Sequence, residues 1–460
     1  MQKPTFVVDR RLVLKGGLAT LTGLVSAPMV RAQTRPDALL FTISDLHAPY
    51  ARLPKLLETI RVMKTDAAVP TALLLNGDIF ERGNVVCQRS GGAADWAFLS
   101  AIAAEMPVVV NLGNHETAIL DDMTTFLAQA DQAGVKVISN LIDRRTGRFF
   151  APVGDRLGLG GIDVSLLGLA ATNPLVYRET VRDSLTFLDT AQFVVDAFGD
   201  TSGDADLNLI MSHAGVVPDR GYIDTLPAGT VIQGAHDHLR MDLDHNGIRY
   251  FHGGSWGAEL GVLSLAKGPD GVLTSYQTLP IAPQGGDENL AAFITAQKEE
   301  YLQTEDREVI ADIPQDMDMH RSILVATEAM RLATDADVAM IGHTTFGAPL
   351  AVGTMTRYDF DAFVRFGGGL KIAEVSGETL GQMMARSNQF TADTLEGRTG
   401  DYVHVAEVDL DPSRSYRLAV NAWTAISQEA YLGTTDVAFE DVPDLELKAV
   451  IANHLMATFQ

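Results

Sequence analysis

Five short apolar runs in this 460-residue chain stop at residues that can hold a cation or move a proton. "LLFTISDLH" ends in Asp45 and His47, "LLLNGD" in Asp78, and "VVVNLGNHE" in Asn114, His115 and Glu116. "LNLIMSHAG" ends in His213, and "TVIQGAHDH" in His236 and His238. Singly they carry little, because Asp-x-His arises by chance and a histidine after a strand is usually packed or solvated. Together the carboxylates, the amide and the imidazoles form a donor pool suited to two divalent cations, with Asp78 available to both. Imidazole-rich donors favour Zn, Mn, Fe or Co over Mg. Two such cations about 3.5–4 Å apart lower the pKa of a bridging water and clamp a phosphoryl oxygen for in-line attack.

The elements that must position these residues are buried strands. The runs "DALLFTI", "TALLLN", "PVVVNL", "VSLLGLAA", "LNLIMS" and "GTVIQG" are four to eight residues long and bounded by Gly, Pro, Asp or Asn. Helical periods separate them: Leu53, Leu56, Leu57, Ile60 and Met63 share one face of "RLPKLLETIRVMK", and "ADWAFLSAIAAE" repeats the pattern. Strand and helix in alternation predict an α/β layered domain over residues 37–280, and ligand sites in such sheets lie beyond the carboxyl ends of the strands. The Pro/Gly-rich "PIAPQGGDE" opens a linker helix within 281–305. Beyond it a smaller α+β domain is expected over 306–460, with a helix at "HRSILVATEAMRLAT" and strands at "KIAEVSG", "HVAEVDL" and "YRLAVNAW".

Net charge is −24, which argues against a nucleic-acid polymer or an anionic membrane surface as partner. One cysteine, Cys87, excludes an internal disulfide. The N-terminus, with Arg10-Arg11, a mildly apolar stretch and Val30-Arg31-Ala32, resembles a twin-arginine (Tat) export signal. Cleavage near Ala32 would remove five basic residues and one acid. The expected partner is then the Tat machinery and the expected compartment the periplasm, with no stable membrane insertion.

The ordered set Asp-x-His, Gly-Asp, Gly-Asn-His, later His and His-x-His resembles the calcineurin-like metallophosphoesterases. "FHGGSWGAELGVLSL" is similar to the segment that closes the domain in the 5′-nucleotidase branch. The resemblance implies a four-layer α/β/β/α sandwich followed by the smaller α+β domain. It implies that Asp45, His47, Asp78 and His238 hold one metal and that Asp78, Asn114, His213 and His236 hold the other. It also makes His115 the general acid for the leaving oxygen. The branch usually orients that histidine with an Asp three residues on, where this chain has Ala118. "GDIFERG" offers Glu81 as the substitute partner and Arg82 as a bidentate phosphate contact, by likeness to protein-phosphatase-like members.

Residues 306–460 resemble, more faintly, a 5′-nucleotidase C-terminal domain. Carried over residue by residue, Phe366 and Trp423 would sandwich a nucleobase and Glu429 would contact base or ribose. Gly347 falls where a phosphate-binding Arg is expected, with His343 and Lys371 as candidate replacements. The expected activity is hydrolysis of small phosphoesters, nucleotides foremost. The alternatives are a 2′,3′-cyclic nucleotide, a UDP-sugar or a sulfur ester as substrate, or a catalytically silent metal-containing binding protein.

Overall fold

The computed structural model describes residues 35–459, and the Tat-like segment at 1–32 lies outside them. Period-2 alternation explains the first sheet. Along β1 (Ala38–Ser44), Leu39, Phe41 and Ile43 pack on helices, while Ala38 and Leu40 face a second sheet. Both faces are covered, so the run reads as continuously apolar. β1 pairs in parallel with β2 (Thr71–Asn76), which pairs with β3 (Val108–Asn111) and then β4 (Lys136–Ile138). The second sheet contains β5 (Gly154–Leu159), β6 (Ile162–Leu169), β7 (Leu207–Ser212), β8 (Val231–Gly234), β9 (Arg240–His245) and β10 (Ile248–Gly253). A long antiparallel hairpin, β11 (Glu259–Gly268) and β12 (Gly271–Pro280), closes the first sheet against β1. Helices, sheet, sheet and helices give four layers, with one apolar core between the sheets and one on each outer face.

Register fixes the level at which the strands stop. Ser44 lies opposite Asn76 and Asn76 opposite Asn111; in the other sheet Ser212 lies opposite Gly234. A buried amide belt pins the two sheets together at this level. Asn111 Nδ2 donates to Met211 O and Leu169 O, Asn76 Nδ2 to Ser212 O and Gln233 O, and Gln233 Nε2 to Ile43 O. Each such bond contributes about 1 kcal/mol net, but leaving one buried partner unmade costs more, so the belt enforces alignment more than it adds stability.

The expected linker helix, Glu288–Tyr301, joins the outer helical layer, where Leu290 and Ile294 enter the first core. The second domain is a five-stranded mixed sheet built around β13 (Val338–Gly342), β14 (Gly369–Ser376), β15 (Val403–His404), β16 (Ser415–Asn421) and β17 (Glu440–Glu446). Helices Met319–Thr334 and Leu447–Thr458 cover one face. The strand expected at "HVAEVDL" is corrected: only Val403–His404 pair, because the Asn388 side chain bonds Val405 N and O in place of a neighbouring strand. The division between domains is also less clean than composition suggests. Thr391–Ala392 pair with β9, and Leu395 and Tyr402 pack in the outer core of the second sheet. Among the described residues no helix is long and apolar enough to cross a membrane.

Candidate metal centre and substrate cleft

Each chemistry-bearing run leaves its strand through a sharp turn, and most do so through left-handed backbone. Asp45, His47, Asp78, His236 and His238 all have φ between 49° and 77°, a region that non-glycine residues rarely occupy. Such strain persists where surroundings over-determine it, here under two register-locked sheets. Two glycines make the crowding possible. A Cβ on Gly77 would collide with His213 Nδ1, and one on Gly113 with Asp78 Oδ1.

Three donor groups result; one joins His47, Glu81 and His115, and the other two collect the expected ligands. Asp45, His47 and His238 converge on one point, and Asp78, His213 and His236 on another. Asp78 reaches both, with Oδ2 3.7 Å from His47 Nε2 and Oδ1 3.3 Å from His213 Nε2. Asn114 Oδ1 lies 3.0 Å from His236 Nδ1, beside the second group. The polar atoms are buried and partly orphaned: among the described residues Asp45 Oδ2 and His213 Nε2 have no hydrogen-bond partner. His213 Nδ1 stands 2.9 Å from the Asn76 carbonyl and donates to it, so Nε2 is turned to the carboxylates. Burial pushes His213 down, but Asp78 and Asp45 reverse this and carry it up to about 10. A positive charge is called for between these carboxylates, which is a demand a cation meets. Burial raises Asp45 well above the usual carboxylate range, whereas at Asp78 the neighbouring imidazoles outweigh burial and hold it well below. The donor types, the orphaned atoms and this charge demand fit a pair of divalent metals.

His115 follows Asn114 at the mouth of this cluster, partly exposed, with its backbone N–H donating to Asp78 Oδ1 at 2.7 Å. Burial lowers its pKa, while Asp78 and Glu81 pull it up. Glu81 Oε2 is 3.9 Å from His115 Nδ1 but 3.3 Å from His47 Nδ1. It also meets Arg365, which donates to the same oxygen from Nε at 2.8 Å and sets Nη2 2.7 Å from it as an ion pair. Burial alone would raise Glu81, but Arg365 and the two imidazoles hold it well below its ordinary range. Arg82 is exposed at the cleft and makes no ion pair among the described residues. Glu116 stays behind the donors. Burial and Asp78 raise it to about 8, and it accepts from the Ile79 N–H.

Family comparison decides what this arrangement belongs to. Residues 40–254 match the calcineurin-like phosphoesterase model, and residues 311–434 match the 5′-nucleotidase C-terminal domain. The first region is thus similar to calcineurin-like phosphoesterases and the second to the C-terminal domain of 5′-nucleotidases. A curated relative, the uncharacterized metallophosphoesterase YunD of Bacillus subtilis (strain 168), is 21% identical over 343 residues, covering 70% of this chain and 71% of that protein. The fold is similar to a 5′-nucleotidase precursor from Thermus thermophilus (18% identity, TM-score 0.60, 91% of this chain and 96% of that one). It is equally similar to the Thermus thermophilus sulfate thiohydrolase SoxB (17%, TM-score 0.62, 92% and 94%).

Between the phosphoesterase donors and the C-terminal domain lies a cleft of about 560 Å³. Phe366 and Trp423 both line it, 45% and 39% exposed. Trp423 stands on helix Ala422–Ile426, capped by Asn421, which accepts from Thr424 N. Glu429 lies outside the cleft lining, since its turn presents Ala430 and Tyr431 instead. Gly347 has no room for a side chain: a Cβ there would strike the Trp256 ring and Ala362 O. Neither candidate replacement faces the cleft. His343 is buried in a chain with His404, and Lys371 is tied to Asp441. Sequence reading missed Arg365, which lines the cleft and stacks over Trp256 and Phe366 at 5.6 and 5.0 Å.

Proposed function

We propose that this protein hydrolyses small phosphoesters, nucleoside monophosphates foremost, at a dinuclear metal centre. The observation that carries the reading is the convergence of two buried donor groups on Asp78, with His115 at their edge facing the cleft. Asp45, His47, Asp78 and His238 would hold one cation, and Asp78, Asn114, His213 and His236 the other. A bound pair supplies Lewis-acid polarisation of the phosphoryl oxygens and an acidified water. The chain's own residues do the rest. Arg82, exposed and unpaired, offers a planar fork to the phosphate. His115 gives its proton to the leaving oxygen. Burial lowers this imidazole, Asp78 and Glu81 oppose that effect, and a dianion in the cleft would oppose it further. Phe366 and Trp423 offer two faces for a flat leaving group. Likeness to the sulfate thiohydrolase fold, and the missing side chain at Gly347, support a sulfur ester as the second reading. The Tat-like N-terminus supports export to the periplasm. The deciding experiment is product release from AMP, 2′,3′-cyclic AMP, p-nitrophenyl phosphate, its bis-ester and a small thiosulfate ester, with metals counted by mass spectrometry. AMP turnover with two metals per chain is expected. Two metals with no phosphate released from any ester would sink the reading.

A further inference from the structure

We propose that Arg365, carried in from the C-terminal domain, is a positioning residue that fixes Glu81, and that Glu81 in turn orients the ligand His47. The inference rests on the metal-centre reading above. Glu81 Oε2 lies nearer His47 Nδ1, at 3.3 Å, than His115 Nδ1, at 3.9 Å. His47 Nε2 faces His238 Nε2 at 3.0 Å and Asp78, so its far nitrogen is the one that meets the acid. A carboxylate behind a metal-bound imidazole sets ring orientation and tautomer.

Glu81 is fully buried in a cluster that already contains Asp45 and Asp78, a place where an uncompensated carboxylate is strongly unfavourable. Arg365 supplies the compensation to Oε2 through two nitrogens, while Oε1 accepts from the Gly83 N–H at 2.9 Å. Both oxygens are thereby fixed. The guanidinium is held in turn: Nη1 donates to Thr344 O, and the rings of Trp256 and Phe366 flank it. Nη2 also comes within 3.3 Å of His47 Nδ1 and of His115 Nε2, so one side chain touches three residues of the site. Seating of the second domain therefore enters the geometry of a metal ligand in the first.

The test is Mn²⁺ titration of the chelator-stripped full chain against a competing fluorescent chelator. It compares wild type with R365M, R365K, E81Q, the double variant R365M/E81Q, and R89M. Arg89 pairs with Asp306 across the same domain junction, away from the donors, and serves as the control. R365M and E81Q are expected to weaken one of two Mn²⁺ equivalents about 10–100-fold. The double variant should lose no more than either single, since both act through one carboxylate. R89M should bind as wild type, and R365K should fall between, its ammonium reaching one acceptor where the guanidinium forks. Wild-type affinity in R365M, or an equal loss in R89M, would overturn the inference. Should R365M lack a native near-UV spectrum, R365K carries the same comparison. Because the readout is affinity, the outcome stands whether or not AMP is hydrolysed.

Discussion

At the strand exits of the phosphoesterase domain, each donor follows a register-locked strand by a few residues and is held against its neighbours between two sheets. Across the cleft, Phe366 and Trp423 stand on a loop and a five-residue helix, half exposed. The first region tolerates almost no displacement, because Gly77 and Gly113 already bring backbone against ligand atoms. The second has room to adapt. On the proposed function, chemistry that needs several donors at one point would sit where the backbone is over-determined, and a flat group would meet surfaces that can shift. The two arginines repeat the contrast: Arg365 is buried and fully engaged, Arg82 exposed and unpaired.

The largest break in this comparison comes from Asp78→Asn, which should remove metal from both donor groups. It should lower kcat/KM by more than about 10³-fold, read by metal analysis and steady-state kinetics together. His115→Ala sharpens it. Metal content should stay at wild type while kcat falls about 10²–10⁴-fold, less for p-nitrophenyl phosphate than for AMP, because a good leaving group needs little protonation. On the adaptable side, Trp423→Ala should raise KM for AMP by the equivalent of about 1–3 kcal/mol and leave an aliphatic phosphoester unchanged. Equal effects on both esters would show that Trp423 is structural.

A pH measurement probes the rigid region apart from its chemistry. Asp95 is buried, and burial raises its carboxyl to about 7 despite the hydrogen bond from Tyr50. Folding then binds a proton that the unfolded chain, with an ordinary carboxyl, gives up at lower pH. Asp95 thus contributes stability that is complete below about pH 4 and is lost as pH rises through about 7. Denaturant unfolding should show wild type losing up to about 1.4 kcal/mol per pH unit across that window, and Asp95→Asn should flatten the slope. The smallest effect is expected from Glu429→Ala, within about twofold in KM for AMP, since the side chain lies outside the cleft.

Much of the donor cluster was legible because its information is local. An apolar run bounded by Gly, Asp or Asn marks a strand end, and a donor just beyond it marks a candidate ligand. Asp45, Asp78, His213 and His238 needed nothing further than the rule that strand exits face one cleft. Glu429 lies on a five-residue helix, Gln428–Leu432, that presents Ala430 and Tyr431 to the cleft, a placement set by the fold. Glu81 was found by motif, and the folded chain sets its Oε2 3.9 Å from His115 Nδ1, 3.3 Å from His47 Nδ1 and against an arginine 284 positions away.

By itself the sequence determined the strands, their polar tips, the donor pool and the change of architecture past the Pro/Gly-rich segment, since these follow from short-range periodicity. Only the tertiary structure decided which carboxylate faces which imidazole, that Arg365 crosses the domain junction, and that Gly347 has no space for an arginine. Those facts depend on distances between residues far apart in the chain, set by sheet register and interdomain packing, and no local pattern encodes them.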